Sequence, residues 1–228
     1  MVVSEDSGIS IDELASRIWE RVTGRSRRFV LGIAGPPGAG KSTLAVALRD
    51  AVNARAGAGV AEVAPMDGFH LTNAELRVSG ALARKGEPDT FDVAGYLDRL
   101  RLLRETVPGQ RVSWPLYDRV RHEPVPDGII FDRQSLVVTE GNYLLLDDYG
   151  AAGWSAVREC LDAAWYLDAP VEQLRERLLE RHIRGGKSET FARDKVARSD
   201  LMNVALVAET RERADLVLRS VGVNYLVE

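Results

Sequence analysis

Apolar residues recur along this chain at two spacings. Ile11, Leu14, Ile18 and Val22 follow one another at three- and four-residue steps behind Ser10, which predicts an amphipathic helix over residues 10–23 with the serine as its cap. The run RFVLGIAG is short and almost unbroken in its apolarity, the pattern of a parallel strand covered on both faces. KSTLAVALRDAVNARA then reads as a helix that Gly57 ends. The rhythm continues through strand VAEVAPM, helix VAGYLDRLRLLRE, strand SLVVTEG, helix GWSAVREC, strand AAWYLDA, helix PVEQLRERLLERHI (burying Val171, Leu174 and Leu178), helix KVARSDLMNVALVAETRER and strand ADLVLR. Strands that alternate with helices predict an α/β fold of three layers, a mostly parallel sheet with helices on both faces.

Two stretches break the rhythm, residues 68–92 and 112–128, and long irregular segments inside a compact domain are usually functional. We read both as substrate-binding insertions. A polar stretch with the pair Gly185-Gly186 separates two helices, which makes residues 184–196 a small helical lid with hinge freedom. The expectation is one domain over residues 1–228, with an N-terminal helix in residues 1–25.

Composition narrows the class of partner. The 228 residues are 45% hydrophobic and 28% charged with a net charge of -4, which argues against a general nucleic-acid or anionic-membrane surface and for a small-molecule substrate. The single cysteine, Cys160, has no partner for an internal disulfide and reads as a small buried side chain. The N-terminus has neither a basic region nor an apolar one, and no apolar run reaches the ~20 residues of a spanning helix, so the expected location is the cytoplasm. Three scattered histidines and one cysteine make no transition-metal pattern.

The chemistry begins at Gly35-Pro36-Pro37-Gly38-Ala39-Gly40-Lys41-Ser42, followed by Thr43, which satisfies G-x-x-x-x-G-K-[ST] between a strand and a helix. Glycines there let backbone N–H groups turn around phosphate oxygens, while the helix N-terminus adds positive potential. Lys41 reaches the terminal phosphates and the Ser42 hydroxyl ligates Mg²⁺, so ATP and Mg²⁺ are the expected cofactors. Switches, transporter ATPases and kinases share this loop. The chain lacks both the guanine-reading N-K-x-D and the transporter signature L-S-G-G-Q, which favours a kinase.

A kinase needs a carboxylate to accept the proton of the acceptor hydroxyl, ligands for Mg²⁺, and cations over the transferring phosphoryl group. Asp67 in EVAPMDGFHL stands at the carboxyl end of a predicted strand, the ligand-binding edge of an open α/β sheet. Glu140 ends the apolar strand of SLVVTEGNYLLL and suits Mg²⁺ directly or through water. Arg177, Arg181 and Arg184 fall on one helix face leading into the lid; Arg181 is the expected catalytic arginine and Arg184 a substrate contact. VSWPLYDRVRHEPVPDG concentrates Tyr117, Arg119, Arg121 and His122, which with His70 and Asn142 are expected to bind substrate. His182, amid a basic helix, reads as structural.

The motifs GPPGAGKST, MDGFH, KGEPDTFD, WPLYDRVRHEPVPDG, VVTEGNYLL, YLDAP and TRERADLVL together resemble the phosphoribulokinase, uridine kinase and bacterial pantothenate kinase superfamily, over about residues 28–219. PMDGFHL, RKGEPDTFD, EGNYLLLDD and SDLMNVALV are most similar to a bacterial group described as sugar (fructose-transport-associated) or nucleoside/nucleotide kinases. The resemblance implies a P-loop NTPase fold, the catalytic aspartate at Asp67, the strand-end acid at Glu140, a substrate-contacting tyrosine at Tyr117, an arginine at Arg181 that contacts substrate and phosphate, and Asn203 near positions that close over the substrate. It also implies that a homodimer is a common state. Arg119 stands where pantothenate kinases carry a histidine, Leu178 where they carry a tyrosine, and Pro124 where uridine kinases carry an arginine. The acceptor therefore stays open among sugars, nucleosides and pantothenate-like compounds. The alternative is an ATPase-like regulatory module with no acceptor, for which the polar stretch from Trp114 to Gly128 would have little use.

Overall fold

Ser10 starts the first helix as the spacing predicts: its hydroxyl accepts from the Glu13 N–H while the Glu13 carboxylate accepts from the Ser10 N–H, a reciprocal cap. In this computed structural model, which describes residues 8–147 and 153–228, that helix is α1 (Ile11–Val22). It is followed by β1 (Phe29–Ala34), α2 (Lys41–Ala56), β2 (Ala61–Pro65), α3 (Asn73–Val78), α4 (Val93–Glu105), β3 (Val112–Asp118), β4 (Glu123–Phe131) and β5 (Leu136–Gly141). The remainder is β6 (Ala163–Asp168), α5 (Val171–Arg184), α6 (Glu189–Lys195), α7 (Leu201–Ala208), β7 (Leu216–Val221) and β8 (Asn224–Val227).

Six strands form one sheet in the order β2-β5-β1-β6-β7-β8, parallel except for the antiparallel β7–β8 edge. β1 lies at its centre, which is why all six of its residues are buried. Its side chains alternate between two cores. Phe29, Leu31 and Ile33 pack with α1 and α2, while Val30 and Ala34 face the side occupied by α4, Trp114 and Trp154. The expected three-layer α/β fold is the one observed. Among the described residues no helix is long and apolar enough to cross a membrane.

The departures from expectation have local causes. Residues 112–128 fall within an antiparallel ribbon, β3 paired with β4, whose register shifts between Trp114 and Leu116. Pro115, Pro124 and Pro126 are tolerated there because a two-stranded ribbon is edge on both sides. GWSAVREC forms 3₁₀ turns at Trp154–Ala156 and Arg158–Cys160; its buried residues Trp154, Val157 and Cys160 are three apart, the 3₁₀ period. The long helix expected over residues 195–213 is divided into a π-turn at Val196–Asp200, α7, and a 3₁₀ turn at Arg211–Arg213. Val171, at the first position of α5, is exposed rather than buried. The expected lid stretch contains α6, and short helical turns fill much of residues 68–92.

β5 carries the link between fold and site. Leu136 and Val138 face α2 and Val137 faces α4, so period 2 turns Thr139 to the α4 side and Glu140 to the α2 side. The Thr139 hydroxyl donates to the Ala64 carbonyl at 2.7 Å, so the Tyr96 hydroxyl, 2.7 Å away, donates to Thr139. This buried chain joins α4, β5 and β2. Replacing the hydroxyl with a methyl leaves buried polar atoms unpaired, so Thr139→Val should lose about 1–3 kcal/mol in urea unfolding and Thr139→Ser much less. Equal stability of all three proteins would remove this chain from the account.

Candidate active site

The turn from β1 into α2 comes within touching distance of β6: a Cβ on Gly35, whose φ is +146°, would meet the Leu167 carbonyl oxygen at 2.3 Å. α2 then begins on Gly40, which has no side chain to cap the helix, so the first-turn amides are left for a ligand. Lys41 is 7% exposed, and its ammonium donates to the Pro36 carbonyl at 2.9 Å and to Asn142 Oδ1 at 2.7 Å. Burial lowers it to about 8, against the pull of Glu140 and Asp67. Ser42 donates to Glu140 Oε1 at 3.0 Å. Burial pushes the Glu140 carboxyl above its ordinary range, the Asp67 charge adds to this, and Lys41 and Ser42 oppose it. Phosphate oxygens beside Lys41 and a cation beside Glu140 would each favour the charged form that burial penalises.

Asp67 lies on the 3₁₀ turn Met66–Phe69 that follows β2. Gly68 lets this turn meet the ribbon, since a Cβ there would be 2.1 Å from the Pro115 carbonyl oxygen. Trp114 fixes the ribbon from the other side by donating to the Pro65 carbonyl at 2.9 Å. Just past the end of β3, Arg119 reaches Asp67 at 3.5 Å, and within the strand Tyr117 stacks on His70 with ring centres 4.6 Å apart. His70 Nδ1 lies 2.8 Å from the Asp67 carbonyl, which can only accept, so Nδ1 donates and a neutral ring keeps Nε2 as an acceptor. Burial holds His70 below the usual histidine range.

Two cavities meet at Asp67. One, of about 370 Å³, is lined by Ser42, Glu140, Tyr117 and Arg119. The other, of about 190 Å³, is lined by Pro37, His70, Asn142, Arg181 and Asn203, and Asp67 belongs to both. Most of the residues singled out in the sequence thus stand around one carboxylate. Arg121 and His122 do not: they sit at the ribbon tip, outside both cavities, Arg121 beside Asp118 and exposed. His122 adopts φ +56°, and it is its carbonyl that contributes, accepting from Lys85 at 2.7 Å. Arg184 pairs with Glu180 in solvent, and Arg177 donates to the Gly38 and Ala39 carbonyls.

Sequence reasoning missed Lys85, Lys195, Ser199 and Asp200, and it read His182 as structural; all five line the smaller cavity. His182 Nε2 lies 2.6 Å from Asp200 Oδ2, both side chains largely buried. The available signal was weak, a charged SD pair inside an apolar helix pattern. Among the described residues no group of three or more His, Cys, Asp or Glu could hold a metal alone. The residues that fit Mg²⁺ are Ser42 and Glu140, in the manner of a cation that keeps most of its ligands from water and nucleotide phosphates.

Comparisons with known proteins identify the family. The profile of the Phosphoribulokinase / Uridine kinase family matches residues 30–227. The chain is 38% identical to an uncharacterised protein of Escherichia coli K12, over 84% of this chain and 78% of that one. It is 32% identical to a proposed uridine kinase of Schizosaccharomyces pombe (92% and 90% covered) and 31% identical to the pantothenate kinase of Chelativorans sp. BNC1 (88% and 70%). The crystal structure of a proposed fructose transport system kinase from Silicibacter sp. TM1040 superposes with a TM-score of 0.82 at 33% identity, covering 92% of this chain and 99% of that one.

The buried imidazole gives a pH test. His70 titrates lower in the folded protein than in the unfolded one, so between those values the unfolded chain binds the extra proton. The stability contributed is complete above the unfolded value of about 6.5 and is lost as pH falls below it. Urea unfolding between pH 7 and 5.5 should therefore show a decline that His70→Phe, which keeps the stack on Phe91 and Tyr117, flattens. A parallel decline in both proteins would mean that His70 is not its source.

Proposed function

Since the chain belongs to the phosphoribulokinase and uridine kinase family of P-loop kinases, we propose that it transfers the γ-phosphoryl group of ATP to a hydroxyl of a small polar metabolite. The observation that carries this reading is the position of Asp67, in the wall shared by the cavity beside Ser42 and Glu140 and the cavity beside Arg181 and Asn203. A carboxylate at that boundary faces nucleotide phosphates on one side and an acceptor on the other.

In this reading the acceptor hydroxyl oxygen forms a bond to the γ-phosphorus, and the bond from that phosphorus to the bridging β-oxygen breaks. ADP leaves with the electron pair, and the hydroxyl proton goes to Asp67. Asp67 is partly exposed and has Arg119 at 3.5 Å, a contact that helps to aim it. Lys41, held by Pro36 and Asn142, and Arg181 supply positive charge along the phosphates. Ser42 and Glu140 would hold Mg²⁺, which when bound neutralises phosphate charge. The family's chemistry and the absence of a spanning helix among the described residues suit a cytoplasmic enzyme.

Asp67→Asn should lower kcat by ~10²–10⁴ while leaving nucleotide affinity near that of the wild type. Acceptor-dependent ADP release and isothermal titration with ATP separate the two quantities. Full turnover in that variant would remove Asp67 as the base, and ADP release that no hydroxyl compound stimulates would favour a regulatory ATPase instead.

A further inference from the structure

The smaller cavity does more than admit a hydroxyl; its walls discriminate among the acceptor classes left open by sequence. Phe91 is its one aromatic hydrocarbon ring, and that ring is already used: it is 6% exposed, with His70 at 4.1 Å and Tyr143 and Trp154 against it edge-on. A nucleobase, which depends on stacking for much of its binding energy, finds no platform. Apart from Phe91 the apolar lining is Pro37 and the backbone at Gly86, which leaves little surface for a branched aliphatic acceptor.

The polar lining is distinctive in its charge. Lys195 ends α6 and is partly buried, yet among the described residues its ammonium has one hydrogen-bond partner, the Ser199 hydroxyl at 3.1 Å, and no carboxylate in ion-pair range. Arg181 also lacks a carboxylate among the described residues, but it shares the cavity wall with Pro37 of the phosphate loop and its charge is felt at Lys41, so in the kinase reading it serves the phosphates. Lys85, also in this wall, spends its ammonium on Asn73 Oδ1 at 2.8 Å and the His122 carbonyl at 2.7 Å, so Lys195 is the cation left over for the acceptor. Beside it, the π-turn Val196–Asp200 brings Ser199 and Asp200 to the same wall, and π-turns inside helices are frequent at functional sites. The 2.6 Å pair of Asp200 with His182 holds a carboxylate whose remaining acceptor capacity suits a hydroxyl donor.

Resting on the kinase reading above, the geometry points to an acceptor that is a compact polyhydroxylated molecule bearing an anionic group, a sugar acid or a sugar phosphate. Lys195 reads the anion, and Asp200, held by His182, reads a hydroxyl away from the one that is phosphorylated. The reaction is the transfer already balanced above, with a second hydroxyl and the anion as handles that hold the acceptor against Asp67.

The experiment is an ADP-release assay at saturating ATP and Mg²⁺ with D-gluconate, D-fructose 6-phosphate, D-fructose, uridine and pantothenate as separate acceptors. The expected result is a kcat/KM for one of the first two at least about tenfold above the others, and which of the two wins identifies the carboxylate or the phosphate as the anion. Lys195→Met should then raise KM for that acceptor about tenfold or more with KM for ATP unchanged, and Lys195→Arg should recover most of the loss. Preference for fructose, uridine or pantothenate would overturn this inference while leaving the kinase reading intact, as would an unchanged acceptor KM in Lys195→Met. ADP release stimulated by none of the five would count against the kinase reading itself, and this inference would fall with it.

Discussion

A buried ammonium holds the working edge of this protein together. Lys41 is enclosed with neutral oxygens as its hydrogen-bond partners, one from the loop that precedes it and one from Asn142 just beyond β5. Desolvation disfavours that charge, and Glu140 first and Asp67 after it offset part of the cost. Those carboxylates come from the ends of different strands. Sheet register, the turn after β2 and the first turn of α2 are therefore one electrostatic unit.

The rest of the architecture keeps those strand ends aligned. β5 lies between β1 and β2, and the pairing of Ile33 and Pro65 with Glu140 sets the acid at the level where both neighbours terminate. The Tyr96, Thr139 and Ala64 chain resists slippage on the opposite face. The ribbon is then seated by two contacts of opposite kind, an indole hydrogen bond from Trp114 and a bare backbone approach at Gly68. A recognition element built from a two-stranded ribbon, marginal alone, becomes rigid by leaning on a six-stranded sheet.

Much of this was readable in advance where one residue type has one physical use. The glycine-rich loop, the acid ending an apolar strand and the acid after VAEVAP announced themselves because neighbouring apolar residues make charge conspicuous. The ribbon was legible as an interruption but not as strands, since its prolines and charges suppress the period-2 signal and it is held by contacts with Pro65 and Gly68, far away in sequence. Arg121 and His122 looked equivalent to Tyr117 and Arg119 in a dense polar stretch; the ribbon turn separates them in space. Lys195, Ser199 and Asp200 were hidden for a different reason. A regular helical reading of residues 195–213 gives no hint of the π-turn, and the partner that makes Asp200 informative is His182, on another helix.

Arg177 adds a mechanical consequence. It is tied to the carbonyls of Gly38 and Ala39, and Leu174 and Leu178 are buried alongside, with Leu178 3.3 Å from where a Gly38 Cβ would be. The first half of α5 is thus anchored to the loop that cradles phosphate. Any swing of the segment carrying His182, Lys195 and Asp200 has its fulcrum beyond that anchor, so the lever arm is short and its stroke is referenced to the phosphate loop itself.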